Sequence, residues 1–285
     1  MTCVVCDSGP ASEKLRKGEV QILQCPGCGL AYWIPPADFR PEETYDDAYF
    51  ADASASHGYD DYAILEAPLR QTFARRLAGL PPPRPGARLL DVGAAYGFAV
   101  AEAERLGWRA CGLEISLAAA RRAREVTRGR VVVTDFLVPP FAAETFDVIT
   151  LWDVLEHLAD PQRAIAGVAQ LLKPGGRLVL TTGDVGSLLA RLSGPRWHLY
   201  TIPEHLFFYS RRSLRILLEA HGFRVESMRA EGAIYTLGYL VERVRKTLLG
   251  SRSPRNGSWP GSQIRIPVNL FDIVTVSAVR AAQGD

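Results

Sequence analysis

No run of apolar residues in this 285-residue chain reaches the roughly 18–20 that would span a bilayer. The opening MTCVVCDSGP lacks the charged-then-apolar build of a secretory signal, so the cytoplasm is the expected compartment. An excess of one charge is missing too: 33 Lys and Arg stand against 31 Asp and Glu, a formal net charge of +2. So weak a field argues against a nucleic-acid partner, while leaving room for a local basic patch. Internal repeats and low-complexity tracts are absent. Cysteine is scarce at five residues, and in a reducing compartment these read as ligands rather than disulfides. What remains, 47% hydrophobic and 22% charged, is an ordinary globular composition, long enough for one α/β domain and a small accessory unit.

Three regions follow from composition. Residues 1–36 hold four of the five cysteines and read as a small knuckle. Residues 37–85 read as a connecting segment with an amphipathic helix near Asp61–Leu80 that covers the main site, stopped by Pro81-Pro82-Pro83. Residues 86–285 read as the main domain. There, short apolar runs alternate with helical stretches. The expected strands are Arg88–Val92, Arg109–Glu114, Val131–Thr134, Phe146–Trp152 and Gly176–Thr182, with helices at Phe98–Leu106 and Leu117–Val126. Asp160-Pro161 is an N-cap followed by proline at the first helical position. Ser213–His221 adds a helix, and Arg224–Met228 and Leu270–Val279 the last two strands. Ala233–Gly250 reads as helical and Ser251–Gly261 as a surface loop. This rhythm predicts an α/β fold, a doubly wound, mostly parallel seven-stranded sheet, with substrate-covering insertions near 184–212 and 233–262.

The sharpest local signal is Leu89-Leu90-Asp91-Val92-Gly93-Ala94-Ala95-Tyr96-Gly97, a strand running into a turn of small residues and then a helix. Gly93 and Gly97 allow a sharp turn and close approach of a ligand. A dinucleotide site uses the same construction, but with a spaced G-x-G-x-x-G that cradles a pyrophosphate. Here the companions differ. Glu114 closes the second strand, where a carboxylate accepts both hydroxyls of a ribose, and Asp135-Phe136 follows the third, placed for an exocyclic amine and a ring.

This set resembles the class I S-adenosylmethionine-dependent methyltransferases, a Rossmann-like family, and in particular ubiquinone-pathway O-methyltransferases, over roughly residues 86–228. The resemblance implies that Asp91, Gly93, Ala94 and Gly97 line the methionine part of S-adenosylmethionine. It places Glu114 and Ile115 at the ribose, Asp135 and Phe136 at the adenine, and Trp152 beside them. The family has Cys-Gly where this chain has Ala94-Ala95.

Cys3-x2-Cys6 and Cys25-x2-Cys28 supply a closed tetrahedral set for a structural zinc ion. The fifth, Cys111, lies within a strand and reads as a small core residue. A cysteine knuckle ahead of such a core resembles the nucleotide-sugar C-methyltransferases, which implies a sugar or natural-product acceptor, a small molecule in either case.

Two segments offer acid–base chemistry. Asp153, Glu156 and His157 fall on one face if they share a helical turn, and could hold a divalent metal, or His157 alone could act as base. The matching segment of ubiquinone-pathway enzymes, Glu-x-x-Glu-His, binds magnesium; this chain has the shorter Asp153 first. The second is Glu204-His205, where the likeness to sugar enzymes implies His205 as general base with Glu204 orienting it. The competing role is structural, with Ser210 capping a helix from Arg211. Both oxygen and carbon acceptors fit either imidazole. Other readings are an RNA methyltransferase, with Lys14, Arg16 and Lys17 meeting phosphate, and a non-catalytic cofactor-binding scaffold. Tyr235–Leu249 is expected to pack in the core or at a dimer contact, with a membrane-facing role as the alternative.

Overall fold

The structure, a computed structural model, describes residues 2–36, 39, 65–241 and 264–282. The segment Cys3–Trp33 contains a small antiparallel sheet of β1 (Ser12–Lys17), β2 (Val20–Gln24) and β3 (Ala31–Trp33). Helix α1 spans Glu66–Ala78. The main domain then alternates β4 (Arg88–Val92), α2 (Phe98–Arg105), β5 (Arg109–Glu114), α3 (Leu117–Val126), β6 (Val131–Val133) and β7 (Phe146–Trp152). It continues with α4 (Pro161–Leu171), β8 (Leu172–Gly183), α5 (Leu188–Ser193), β9 (Phe207–Phe208) and α6 (Arg211–Ala220). Strands β10 (Phe223–Ala230), β11 (Ala233–Thr236), β12 (Arg265–Val268) and β13 (Ile273–Arg280) complete the described chain.

Seven strands form one sheet in the order β10-β13-β8-β7-β4-β5-β6. The five strands β8, β7, β4, β5 and β6 are mutually parallel, and β13 and β10 are antiparallel additions. Succession reverses between β4 and β7, so the crevice beyond their carboxyl ends is the switch point where such sheets bind ligands. Alternation along each strand sends side chains to two separate cores. Leu90, Ile149 and Leu180 face α4, α6 and the N-terminal segment, while Leu89, Val148 and Val179 face α1, α2 and α3.

Local chemistry sets the helix starts. Asp160 accepts from the Arg163 amide at 2.9 Å, Ser116 from the Ala119 amide, and Ser210 closes a capping box with Ser213. Along β8, Phe146 pairs with Leu172 but Val148 with Arg177, so Lys173-Pro174-Gly175-Gly176 is a bulge inside a strand that begins four residues before the expected Gly176.

One expectation needs correction. Residues 233–236 are not helical: Ala233-Ile234-Tyr235-Thr236 pairs with Arg265–Val268, and the helical part of that stretch among the described residues is 237–241. The β-branched and aromatic run favours a pleated, half-buried strand, and the Ile234 amide donates to Thr72 Oγ1 on α1 at 2.9 Å. Residues 242–263 lie outside the described residues, as do 61–64 of the expected first helix. The knuckle packs against the main domain. β3 pairs with β9 through Ala31–Phe208 and Tyr32–Phe207, and its apolar side chains share the core around α6. Among the described residues no helix is long and apolar enough to cross a membrane.

Candidate active site

The turn after β4 is built on left-handed backbone. Gly93 has φ 70°, and a Cβ there would stand 2.6 Å from Val154 Cγ2. Gly97 has φ 77°, and its Cβ would meet Thr127 Cγ2 at 2.7 Å. Only glycine satisfies both the dihedral and the space. Ala94 is buried, donating its amide to the Leu113 carbonyl at 2.8 Å, which ties the turn to β5. Ala95 adopts φ 47°, the hand that glycine takes without strain.

Asp91 and Glu114 project on the same face of neighbouring strands. Glu114 accepts from the Ala95 amide at 2.7 Å and the Ser116 amide at 2.8 Å, which locks its carboxylate across the turn. Burial raises its pKa against the pull of those amides. Asp91 accepts from Thr150 Oγ1 at 2.6 Å. Burial pushes its pKa up to about 7, the Thr150 hydroxyl pulls back, and the Glu114 charge pushes the same way as burial. Asp135 lies on the exposed rim beyond β6, its Oδ1 accepting from the Leu137 amide at 2.8 Å. Ile115 is exposed beside Glu114. The Phe136 ring instead turns inward, buried near Gly167 of α4, so its face is spent on the core. Trp152 is buried against Phe73 of α1, with ring centroids 6.0 Å apart and the Arg76 guanidinium 5.4 Å from the Trp152 centroid. Its indole nitrogen has no hydrogen-bond partner among the described residues.

Two histidines meet beyond β7. The segment Leu155–His157 is a short 3₁₀ turn, and the His157 and His205 rings lie edge to face with centroids 4.6 Å apart. His157 Nδ1 pairs with the Glu204 carbonyl and His205 Nδ1 with the Leu199 carbonyl, each at 2.9 Å. Because a carbonyl only accepts, both rings carry their proton on Nδ1 when neutral. Burial lowers the pKa of His157, and lowers that of His205 further, with the neighbouring His157 adding to the effect. The main-chain carbonyl of Glu204 thus orients His157, whereas the carbonyl that holds His205 belongs to Leu199; sequence reasoning missed this exchange because it arises from loop folding. Glu156 is buried and its pKa is pushed up to about 8, first by burial and then by Asp153.

Asp153 departs from expectation. It sits at φ 55° with its amide donating to Thr181 at 3.1 Å, so residues 153–157 do not form one helical turn. The group brought together is Glu156, His157 and His205.

In the knuckle, the Cys3–Cys28 and Cys6–Cys25 sulfurs are each 3.6 Å apart, and one sulfur of each of the four cysteines lies within 4.8 Å of the rest. Tetrahedral thiolates at 2.3 Å from zinc stand about 3.8 Å from one another, so the set fits that ion and is too open for disulfides. From this base Trp33 Nε1 donates to the His205 carbonyl at 2.9 Å, Ser210 Oγ donates to the Cys28 carbonyl at 2.9 Å, and Lys17 donates to the Tyr200 carbonyl.

A family model described as a methyltransferase domain matches residues 63–228. A ubiquinone biosynthesis O-methyltransferase of Nitrosococcus oceani is 35% identical over 152 residues, which is 50% of this chain and 63% of that protein. Its counterpart in Alkalilimnicola ehrlichii is 30% identical over 169 residues, 54% of this chain and 66% of that protein. The chain therefore spans less than two thirds of the length of these relatives. Among solved structures, a SAM-dependent methyltransferase of Thermotoga maritima superposes with a TM-score of 0.52 at 18% identity, covering 77% of this chain and 92% of that one. The YcgJ protein of Bacillus subtilis gives 0.53 at 15% identity, covering 74% and 98%. At such identities these structures speak for the fold.

Proposed function

Because this chain belongs to the methyltransferase-domain family, we propose that it methylates a small-molecule acceptor, using S-adenosylmethionine as donor. When bound, that cofactor supplies an electrophilic methyl group on a sulfonium. The residues present fit it: Gly93 and Gly97 give the turn its left-handed backbone and close packing, and Glu114 is held across that turn to accept from ribose hydroxyls. Asp91 and Asp135 complete a row of carboxylates on three adjacent strand ends. Zinc in the four-cysteine knuckle is part of the same proposal, as a structural ion with no open position. A cytoplasmic setting, where thiols stay reduced, belongs to it as well.

The observation that carries the reading is the histidine pair beside the switch point. Each ring is oriented by a backbone carbonyl and held uncharged by burial, so each can accept a proton at neutral pH. With that donor bound, His157 or His205 would take the acceptor's proton, from a hydroxyl as the new bond forms or from a carbon beside a ketone before it. His157 keeps the more ordinary basicity of the two, and His205 walls the acceptor. The curated relatives support an oxygen nucleophile, while the knuckle supports a sugar or other natural product.

Calorimetry with S-adenosylhomocysteine tests the first half. Glu114→Ala is expected to weaken binding about 10- to 100-fold, the loss of charged hydrogen bonds worth about 1.5–3 kcal/mol. Binding that survives this change intact overturns the cofactor assignment. Turnover across phenols, ketones and nucleotide sugars tests the second half, with His157→Ala and His205→Ala expected to lose activity while retaining cofactor affinity.

A further inference from the structure

The oxygen-rich set of Asp153, Glu156 and His157 that a magnesium ion would need is not assembled. Asp153 stays outside the close group because its left-handed backbone breaks the helical turn, although Glu156 and His157 still feel its charge. In its place the fold gathers Glu156, His157 and His205, one ligand atom of each lying within 4.8 Å of the others. We propose that these three residues form a site for a divalent transition metal of the zinc–cobalt–nickel class, distinct from the knuckle and not selective for magnesium.

The donor set decides the metal class. Two imidazole nitrogens and one carboxylate oxygen suit zinc, cobalt and nickel, whereas magnesium demands a nearly all-oxygen octahedron that usually retains several waters. The geometry is close to what is required. Tetrahedral ligands at about 2.0–2.1 Å from a metal stand roughly 3.4 Å apart, so the widest gap closes by about 1.5 Å or less through side-chain rotation. Orientation is already supplied. Each ring's Nδ1 is tied to a main-chain carbonyl at 2.9 Å, the outer-shell arrangement that aims a ligating histidine and sets its tautomer. The third ligand carries its own signal: Glu156 Oε2 is buried and has no hydrogen-bond partner among the described residues. A buried acceptor left unmet is costly, and a cation satisfies it. With two protein nitrogens and one oxygen the set leaves a coordination position open, unlike the closed knuckle. Metal bound there would occupy the imidazoles that the proposed base chemistry requires, so the site would gate that chemistry.

This inference stands on the ligand set and does not require methyl transfer; cofactor binding measured in parallel separates its failure from failure of that reading. The experiment is titration of the purified full chain, knuckle metal retained, with Co²⁺, read by metal content and visible absorption. The expected result is one equivalent beyond the knuckle metal, with nitrogen–oxygen ligand-field bands, no thiolate charge-transfer band, and no displacement by excess Mg²⁺. Glu156→Gln and His205→Ala should each weaken this equivalent at least tenfold, while Asp153→Asn, which suits a left-handed residue, leaves it unchanged. S-adenosylhomocysteine binding reports whether each variant is folded, and Glu156→Gln decides if His205→Ala fails that check. No added equivalent, one indifferent to Glu156 and His205, or one lost with Asp153→Asn overturns the proposal.

Discussion

Ala95 at φ 47° and Gly97 at φ 77° share one turn and one backbone hand, yet substitution should move them in opposite directions. An alanine in this region costs about 1–2 kcal/mol, against about 0.4–1 kcal/mol of unfolded-chain entropy that glycine adds. Ala95→Gly should therefore raise stability slightly, by about 0.5 kcal/mol from these two effects. Gly97→Ala incurs the same dihedral cost and also drives a methyl to within 3.3 Å of the Ala123 main chain. It should lose about 2–4 kcal/mol, the sum of that cost and overpacking. Urea midpoints of the two variants check both signs. Asp91 supplies a pH dependence. Its folded pKa, about 7, lies above the ordinary value of 3.8, so between these values the folded protein holds the extra proton. Stability of the cofactor-free protein should fall as pH rises from about 4 to about 7, and Asp91→Asn should flatten that fall in urea titrations. Asp91 and Glu114 were legible as candidates because one is the next-to-last residue of its strand and the other the last. The exchange of partners between His157 and His205 was not, since both partners are main-chain carbonyls supplied by a loop.

At the scale of elements, the knuckle is bound to the segment that carries His205. β9 is two residues long and owes its pairing to β3. Chelating the zinc proposed for the knuckle should raise amide exchange at Phe207 and Phe208, 174 positions or more from the nearest cysteine-knuckle strand, as well as in the knuckle itself. Unchanged protection there would show that the segment holds its place alone. Trp33→Phe is expected to loosen the same segment while keeping an aromatic ring in place, because it removes the bond to the His205 carbonyl along with part of the buried indole. The five parallel strands and the capped helices were legible: their apolar runs, flanking glycines and Ser or Asp caps are local signals. β9, β11 and β12 were not. So short a strand exists only because a distant partner completes its hydrogen bonds, and Ala233–Thr236 runs into a helical stretch that masks its own pattern.

For the whole molecule, the reversal between β4 and β7 sets the glycine turn beside the segment that carries His157, with Gly93 against Val154. S-adenosylhomocysteine at a hundred times its dissociation constant should add about 2.7 kcal/mol to stability, or about 5–10 °C in Tm. A thermal-shift series in ligand concentration checks this, and no shift would argue against a preformed site. The chain by itself determined the sheet's parallel core, the cysteine quartet and the two strand-end carboxylates, because each depends on residue type and spacing over a few positions. Tertiary structure decided which groups meet: it broke the helical turn at Asp153, brought His205 to His157 across nearly fifty residues, and buried Phe136 in the core. Those outcomes depend on backbone hand and on contacts between distant segments, which no local pattern encodes.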